Sequence, residues 1–251
     1  MKKKHFIYTL VQLVFVIIMI FSGIKIYTWY KDNEKNNELI EDLKQSVIVN
    51  ENSNENTIDF NSLKEKNIDT VAWIKVEGTD IDYPVVQAKN NDYYLNHSFD
   101  KSINGAGWVF ADYKNKLDGT DKNIVIYAHN RRDGSMFSSL KNILKAEWYN
   151  NEKNRYITFV TEQENLEYEV FSVYQTEKED YYIKTEFVKN EFEEFLQRIK
   201  NRSIKKYNTD VSKNDSILTL STCANDNKYR VVLHAKRVKE NIVNEGAKNE
   251  E

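Results

Sequence analysis

Ser216-Ile-Leu-Thr-Leu-Ser-Thr-Cys223-Ala-Asn-Asp-Asn-Lys228-Tyr-Arg230-Val-Val-Leu-His234-Ala235 is the stretch on which the reading of the whole chain turns. Leu218 to Ser221 alternates apolar and hydroxyl residues, the period of a half-buried strand. The strand runs out at Cys223, the single cysteine among 251 residues. A polar turn over Asn225 to Lys228 follows, and Arg230 opens a second run, rich in β-branched residues, that reaches Ala235. Alternation groups Thr219, Ser221 and Cys223 on one face, with Leu218, Leu220 and Thr222 on the other. A thiol at the end of one strand and an arginine at the start of the next meet across such a hairpin, which suits acyl transfer.

A lone cysteine is by default a small buried hydrophobe. Here it sits at a strand end before a polar turn, and in an exported domain it has no disulfide partner. The chemical reading then requires a base.

The first thirty residues decide whether the domain is exported. Lys2, Lys3 and Lys4 precede Phe6 to Ile24, 19 residues without a charge. At about 1.5 Å per residue this run spans roughly 28 Å, close to the hydrocarbon thickness of a bilayer. The lysines favour a cytoplasmic amino terminus, and Tyr27, Trp29 and Tyr30 form an aromatic belt for the far interface. No small-x-small cleavage site follows, so the segment reads as an uncleaved anchor with the rest of the chain outside. The composition of the whole chain, 30% charged with a net charge of −3 and no basic excess, is otherwise that of a folded soluble domain and gives no sign of nucleic-acid binding.

Asp32 to Val47 carries Leu39, Ile40, Leu43 and Val47 at helical spacing, and Asn50 to Asn56 is a polar linker. A second short helix is expected over Ile58 to Lys66. Strand signals follow at Val71 to Val76, Ile81 to Val86, Gly107 to Ala111, Asn123 to Ala128, Arg155 to Val160 and Leu166 to Gln175. Pro84, the sole proline, marks an edge or irregular strand position. Ser135 is placed to cap a helix with Phe137, Leu140, Leu144 and Trp148 on one face. Phe187 to Ile199 repeats that pattern, with Val188, Phe192, Phe195, Leu196 and Ile199 inward. About eight short strands with helical insertions predict a mainly β fold, a barrel rather than a βαβ sheet. The expected organisation is a cytoplasmic tail (1–5), a transmembrane anchor (6–28), a helical stalk or linker (29–58), a catalytic domain (59–238) and a polar tail (239–251).

Of the four histidines, His5 lies on the cytoplasmic side and His97 reads as a surface or packing residue. His234 is mid-strand and shares a face with Arg230 and Val232. His129 ends the strand Ile124-Val125-Ile126-Tyr127-Ala128 and precedes the glycine-containing loop 130–134, where functional side chains usually sit. It matches Cys223 in being last on a strand, although 94 residues separate the two.

Leu218 to Cys223 followed by Arg230-Val231-Val232, with Tyr127-Ala128-His129 upstream, resembles the sortases. Ile81 to Gln87, Asn91-Asp92-Tyr93-Tyr94-Leu95 and a helix between Gln175 and Ser216 resemble their class B branch. The match runs in order from about Phe60 to Val238. The resemblance implies an eight-stranded sortase barrel and a cysteine transpeptidase on the outer face of a Gram-positive membrane. Such an enzyme cleaves a sorting signal near the carboxyl terminus of secreted proteins through a thioacyl enzyme, resolved by a cell-wall precursor or cross-bridge amine. It further implies Cys223 as nucleophile, His129 as acid/base and Arg230 at the substrate carbonyl or oxyanion. Asn91, Leu95, Thr176, Tyr182, Ile183 and Ser221 are implied as groove positions. Arg237 is the fallback cation, and Asp226 either orients His129 or shapes the turn. No metal-ligand spacing or phosphate loop is present in the sequence, so no cofactor is expected. Two alternatives remain: a tethered cysteine peptidase that hydrolyses the same intermediate, and a non-catalytic surface binding domain with a structural cysteine.

Overall fold

The computed structural model describes residues 2–49, 56–223 and 228–242. Helix α1 (Lys2–Lys44) runs without a break from the apolar segment into the domain. Neither proline nor glycine interrupts residues 24–44, so nothing forces the separate helix expected from Asp32. It is long and apolar enough in its first half to cross a membrane, and His5 to Asp32 are all exposed. From Asn33 onward one stripe is buried: Asn33, Asn36, Ile40 and Leu43. The helix stops at Lys44, short of the expected Val47, because Val47 begins strand β1 (Val47–Val49). This pairs with β2 (Asn56–Ile58), Val47 opposite Ile58. The expected linker lies at 50–55, outside the described residues. Helix α2 (Phe60–Lys66) follows, its N-terminus capped by Asp59, whose carboxylate accepts from Ser62 N at 3.1 Å.

The domain is a closed barrel of eight strands among the described residues: β3 (Thr70–Val76), β4 (Asp82–Val86), β5 (Phe110–Ala111), β6 (Asn123–His129), β7 (Tyr156–Val160), β8 (Glu164–Glu177), β9 (Ile217–Cys223) and β10 (Tyr229–Ile242). Around the wall the order is β10-β8-β7-β3-β4-β5-β6-β9. Two pairs are parallel, β4 with β5 and β6 with β9; the others are antiparallel. The expected mainly β barrel is what forms. Pro84 sits mid-β4, opposite Trp73, where the strand's other neighbour pairs only at Val86–Phe110.

Several local expectations give way to tertiary contacts. Strand β5 is cut to two residues because Gly107 takes a left-handed conformation (φ +60°). Trp108 beside it is fixed by its indole N–H on the Pro84 carbonyl at 2.9 Å. Ser135 caps no helix: its hydroxyl donates to Asp133 at 2.7 Å. The apolar face of Phe137, Leu140 and Trp148 is buried as expected, but on a 3-10 turn (Ser138–Leu144) followed by the short α3 (Ala146–Tyr149). Helix α4 (Glu191–Asn201) starts later than expected, after Lys189 takes a positive φ of 49°. Phe192, Phe195, Leu196 and Ile199 face inward, whereas Val188 precedes the helix and is exposed. Strand β10 continues on β8 as far as Ile242 opposite Glu164, four residues into the expected polar tail; 243–251 lie outside the described residues.

The final hairpin separates its two faces as alternation demands. Leu218, Leu220, Val231 and Leu233 enter the barrel core, while Val232 packs in a second cluster beneath α4. His234 lies on this outer side, fully buried and ringed by Phe171, Tyr174 and Phe195. Thr219 Oγ1 donates to Asn123 Oδ1 at 2.6 Å, so it accepts from His234 Nδ1 at 2.8 Å. Tyr174 then donates to Nε2 at 2.9 Å. Both ring nitrogens are satisfied in a neutral imidazole, and burial drives its pKa from 6.5 down to about 3. His234 is a structural residue.

The unfolded chain therefore binds a proton at His234 that the folded chain refuses. This group's full stability is present above pH 6.5 and is lost as the pH falls toward 3, by about 1.4 kcal/mol per pH unit. Denaturant unfolding of His234→Gln between pH 6.5 and 4 should show a pH slope shallower by about one proton; an unchanged slope would contradict the assignment. Phe195→Ala should cost about 3–5 kcal/mol by uncovering this layer.

Candidate active site

His129 is the last residue of β6 and Cys223 the last of β9. The two strands are parallel, and their register continues to the final pair, His129 opposite Cys223. Neighbouring strands lie about 4.8 Å apart, so this ladder brings together backbones 94 residues distant in the chain. Strand β10 joins β9 from the other side, Val232 opposite Ser221, and Val231 N donates to Thr222 Oγ1 at 3.0 Å. Arg230 lies one residue further toward the same end. It is buried, opposite Thr176 of β8, with its guanidinium donating to the Tyr229 carbonyl at 3.1 Å.

Among the described residues the His129 ring is held by a strong contact, Nε2 donating to the Leu95 carbonyl at 2.7 Å. A carbonyl accepts only from N–H, so Nε2 carries the proton and Nδ1 is the nitrogen that changes protonation state. Gly107 makes this contact possible. A Cβ there would lie 2.6 Å from the Tyr94 carbonyl, 2.9 Å from that of Leu95 and 3.0 Å from His129 Cδ2. Only glycine allows such an approach at a positive φ.

His129 titrates below its usual 6.5. Burial is the largest cause, the Leu95 bond opposes it, and the charges of Arg131 and Arg230 push it further down. Arg131 is paired with Asp133 at 2.6 Å. Burial alone would raise the Asp133 carboxyl, but Arg131 and Ser135 hold it below the usual carboxylate range.

The expected groove residues fall into two groups. Ser221 and Tyr182 are buried and bonded to each other, Oγ to OH at 3.2 Å. Thr176 is also buried and accepts from Arg202 at 3.1 Å, and half-buried Ile183 packs between the two apolar clusters. These lie on the Arg230 side. On the histidine side, Leu95 contributes its carbonyl. Asn91 donates to Asp112 at 2.8 Å, and the same carboxylate oxygen accepts from Tyr127 at 2.8 Å. Asn91 is thereby tied to β6 two residues before His129.

Of the remaining expectations, His97 stacks on Tyr93 with ring centroids 4.0 Å apart, a packing role. Arg237 lies opposite Tyr168 and pairs with Glu164 at 3.3 Å, away from the His129 end of the ladder. Asp226 lies outside the described residues. Sequence reading missed Gly107, Arg131 and Asp112. Gly105-Ala106-Gly107 was a signal for a turn rather than a strand start. Among the described residues no cluster of metal-ligating side chains occurs.

Residues 74–238 match the Sortase domain family. Sortase B of Listeria monocytogenes is 37% identical over 249 residues, covering 95% of this chain and 99% of the relative. Sortase B of Staphylococcus aureus is 34% identical, with 95% and 99% covered. Among solved structures, sortase B from Bacillus anthracis superposes with a TM-score of 0.74 at 36% identity, over 84% of this chain and 99% of that one. Clostridium perfringens sortase B gives 0.68 at 41% identity, over 72% and 100%. The chain belongs to the sortase family of cysteine transpeptidases, in its class B branch.

An NMR titration of the imidazoles should place His129 below 6.5, and Arg131→Gln should raise it toward that value by removing a cation. A value that stays put would show that Arg131 does not act on the ring. Gly107→Ala should lower stability by about 1–3 kcal/mol and displace the His129 resonances.

Proposed function

We propose that this chain is a membrane-anchored transpeptidase that joins secreted proteins to the cell wall through a thioacyl enzyme. Residues 6–28 are the single-pass anchor with the amino terminus cytoplasmic, and residues 59–238 are the extracellular catalytic domain. The observation that carries the reading is the β6–β9 register, which ends on His129 and Cys223 with Arg230 at the same end of the sheet. The family membership supports the chemistry.

In the proposed reaction the Cys223 thiolate attacks the carbonyl carbon of the scissile amide in a carboxyl-terminal sorting signal. The carbonyl electron pair moves to oxygen, and the Arg230 guanidinium, permanently charged and rich in donors, stabilises that oxyanion. Collapse breaks the C–N bond, and His129 Nδ1–H supplies the proton that lets the amine leave. The products are a thioester on Cys223 and a neutral His129. An amine of a peptidoglycan precursor or cross-bridge then gives a proton to Nδ1 and attacks the thioester, which restores the thiolate and imidazolium. A free thiol, with a pKa of about 8.5, is little ionised at neutral pH, so the neighbouring cation matters to the first step as well. Asn91, Leu95, Thr176, Tyr182, Ile183 and Ser221 would line the peptide's path, Leu95 also through its hold on His129.

Mass spectrometry of the full chain with candidate sorting peptides should reveal an acyl adduct on Cys223, discharged to a new amide when an amine is added. Hydrolysed product regardless of amine would favour a peptidase, and an unreactive Cys223 would sink the enzyme assignment. Cys223→Ala should lose activity on the order of 10⁴-fold or more. Arg230→Lys should lose about 10²–10³-fold, mainly in kcat, as for a missing oxyanion donor.

A further inference from the structure

The docking of α1 carries information about which way the barrel faces. The first residues of α1 with hydrogen bonds to the domain are Asp32 and Asn33, one residue beyond the exposed aromatic pair Trp29 and Tyr30 and the intervening Lys31. The Asp32 carbonyl accepts from Asn104 at 3.4 Å, and Asn33 Oδ1 accepts from the Arg131 guanidinium. One turn on, Lys35 pairs with Asp100 at 3.0 Å, and Asn36 accepts from Ser98. Arg131 is two residues past His129, and its loop returns to the strand end, with Phe137 N donating to the His129 carbonyl at 3.0 Å. The opposite end of the docked stretch is marked by Asp42, paired with Lys66 at 2.6 Å, and by Lys44. Asp32 and Lys44 are about 18 Å apart along the helix axis. Since α1 leaves the apolar segment at Tyr30, the domain surface nearest that segment is the end where β6 and β9 terminate.

We propose that the barrel end bearing His129 and Cys223 faces the lipid bilayer at close range, held there by the Asp32–Asn104 and Asn33–Arg131 contacts on a continuous helix. The partner of this surface is the outer leaflet itself. Amides and amines presented at the leaflet surface reach the site directly, whereas the α2 end of the domain points away from the membrane. This rests on the reading of residues 6–28 as a span.

The test uses the full chain with Cys223→Ala, so that one introduced cysteine carries a donor dye, either Arg132→Cys or Gln45→Cys; both positions are exposed. The protein is reconstituted into phosphatidylcholine vesicles bearing a headgroup-labelled acceptor lipid. Energy transfer should be severalfold greater from position 132 than from position 45. A seven-residue helical insertion after Tyr30, two turns and about 10 Å, should cut the transfer from position 132 sharply. Equal transfer, or more from position 45, in protein that floats with the vesicles would overturn the proposed orientation while leaving the span intact. Protein that does not float with vesicles would overturn the span, and the orientation with it.

Discussion

The parallel pairing of β6 with β9 is the constraint on which the candidate site depends. Both strands end on a residue with chemistry, His129 and Cys223, and parallel register brings those two ends side by side. Antiparallel pairing of the same strands would set them at opposite ends, roughly 20 Å apart for seven residues. Parallel neighbours require a long crossover. Here it is residues 130–216, containing α3, β7, β8 and α4, so two strands of the barrel lie between the paired ones in sequence. Arg230 enters from the third direction, on the strand antiparallel to β9.

Two histidines show how surroundings rather than residue type assign roles. His234 is sealed beneath α4 with both nitrogens engaged by hydroxyl groups, and it stays neutral through the neutral pH range. Among the described residues His129 commits Nε2 to the Leu95 carbonyl, and it stands where two arginine charges act on it. The Gly107 approach and the Asn91–Asp112–Tyr127 chain hold the same corner from behind. Among the described residues, rigidity at this corner comes from the Leu95 carbonyl and buried polar pairs.

The helix that leads into the domain adds an orientation to this local geometry. Its apolar half is exposed from His5 to Asp32, while Asp32 to Asn36 meet loops near the histidine strand and Asp42 meets α2. No break separates the halves, so the apolar segment and the docked stretch belong to one continuous helix.

Much was legible from sequence because it depends on near neighbours. Alternation in Leu218 to Ser221 requires a strand, the uncharged run from Phe6 to Ile24 requires an apolar environment, and strand-end positions single out His129 over His97. Motif order carried the family. What sequence could not convey were features decided by distant contacts. Ser135 turned to Asp133 instead of capping a helix, Val188 fell outside α4, and Gly107 ended a would-be strand to let a carbonyl meet a histidine ring. The sequence by itself determined the strands, the anchor-like segment and the candidate reacting groups, since these follow from side-chain chemistry and local period. Only the tertiary structure decided that His129 lies opposite Cys223, which imidazole nitrogen is bonded to the Leu95 carbonyl, and which loops α1 touches. Those are matters of register and burial, and they arise only when the barrel closes.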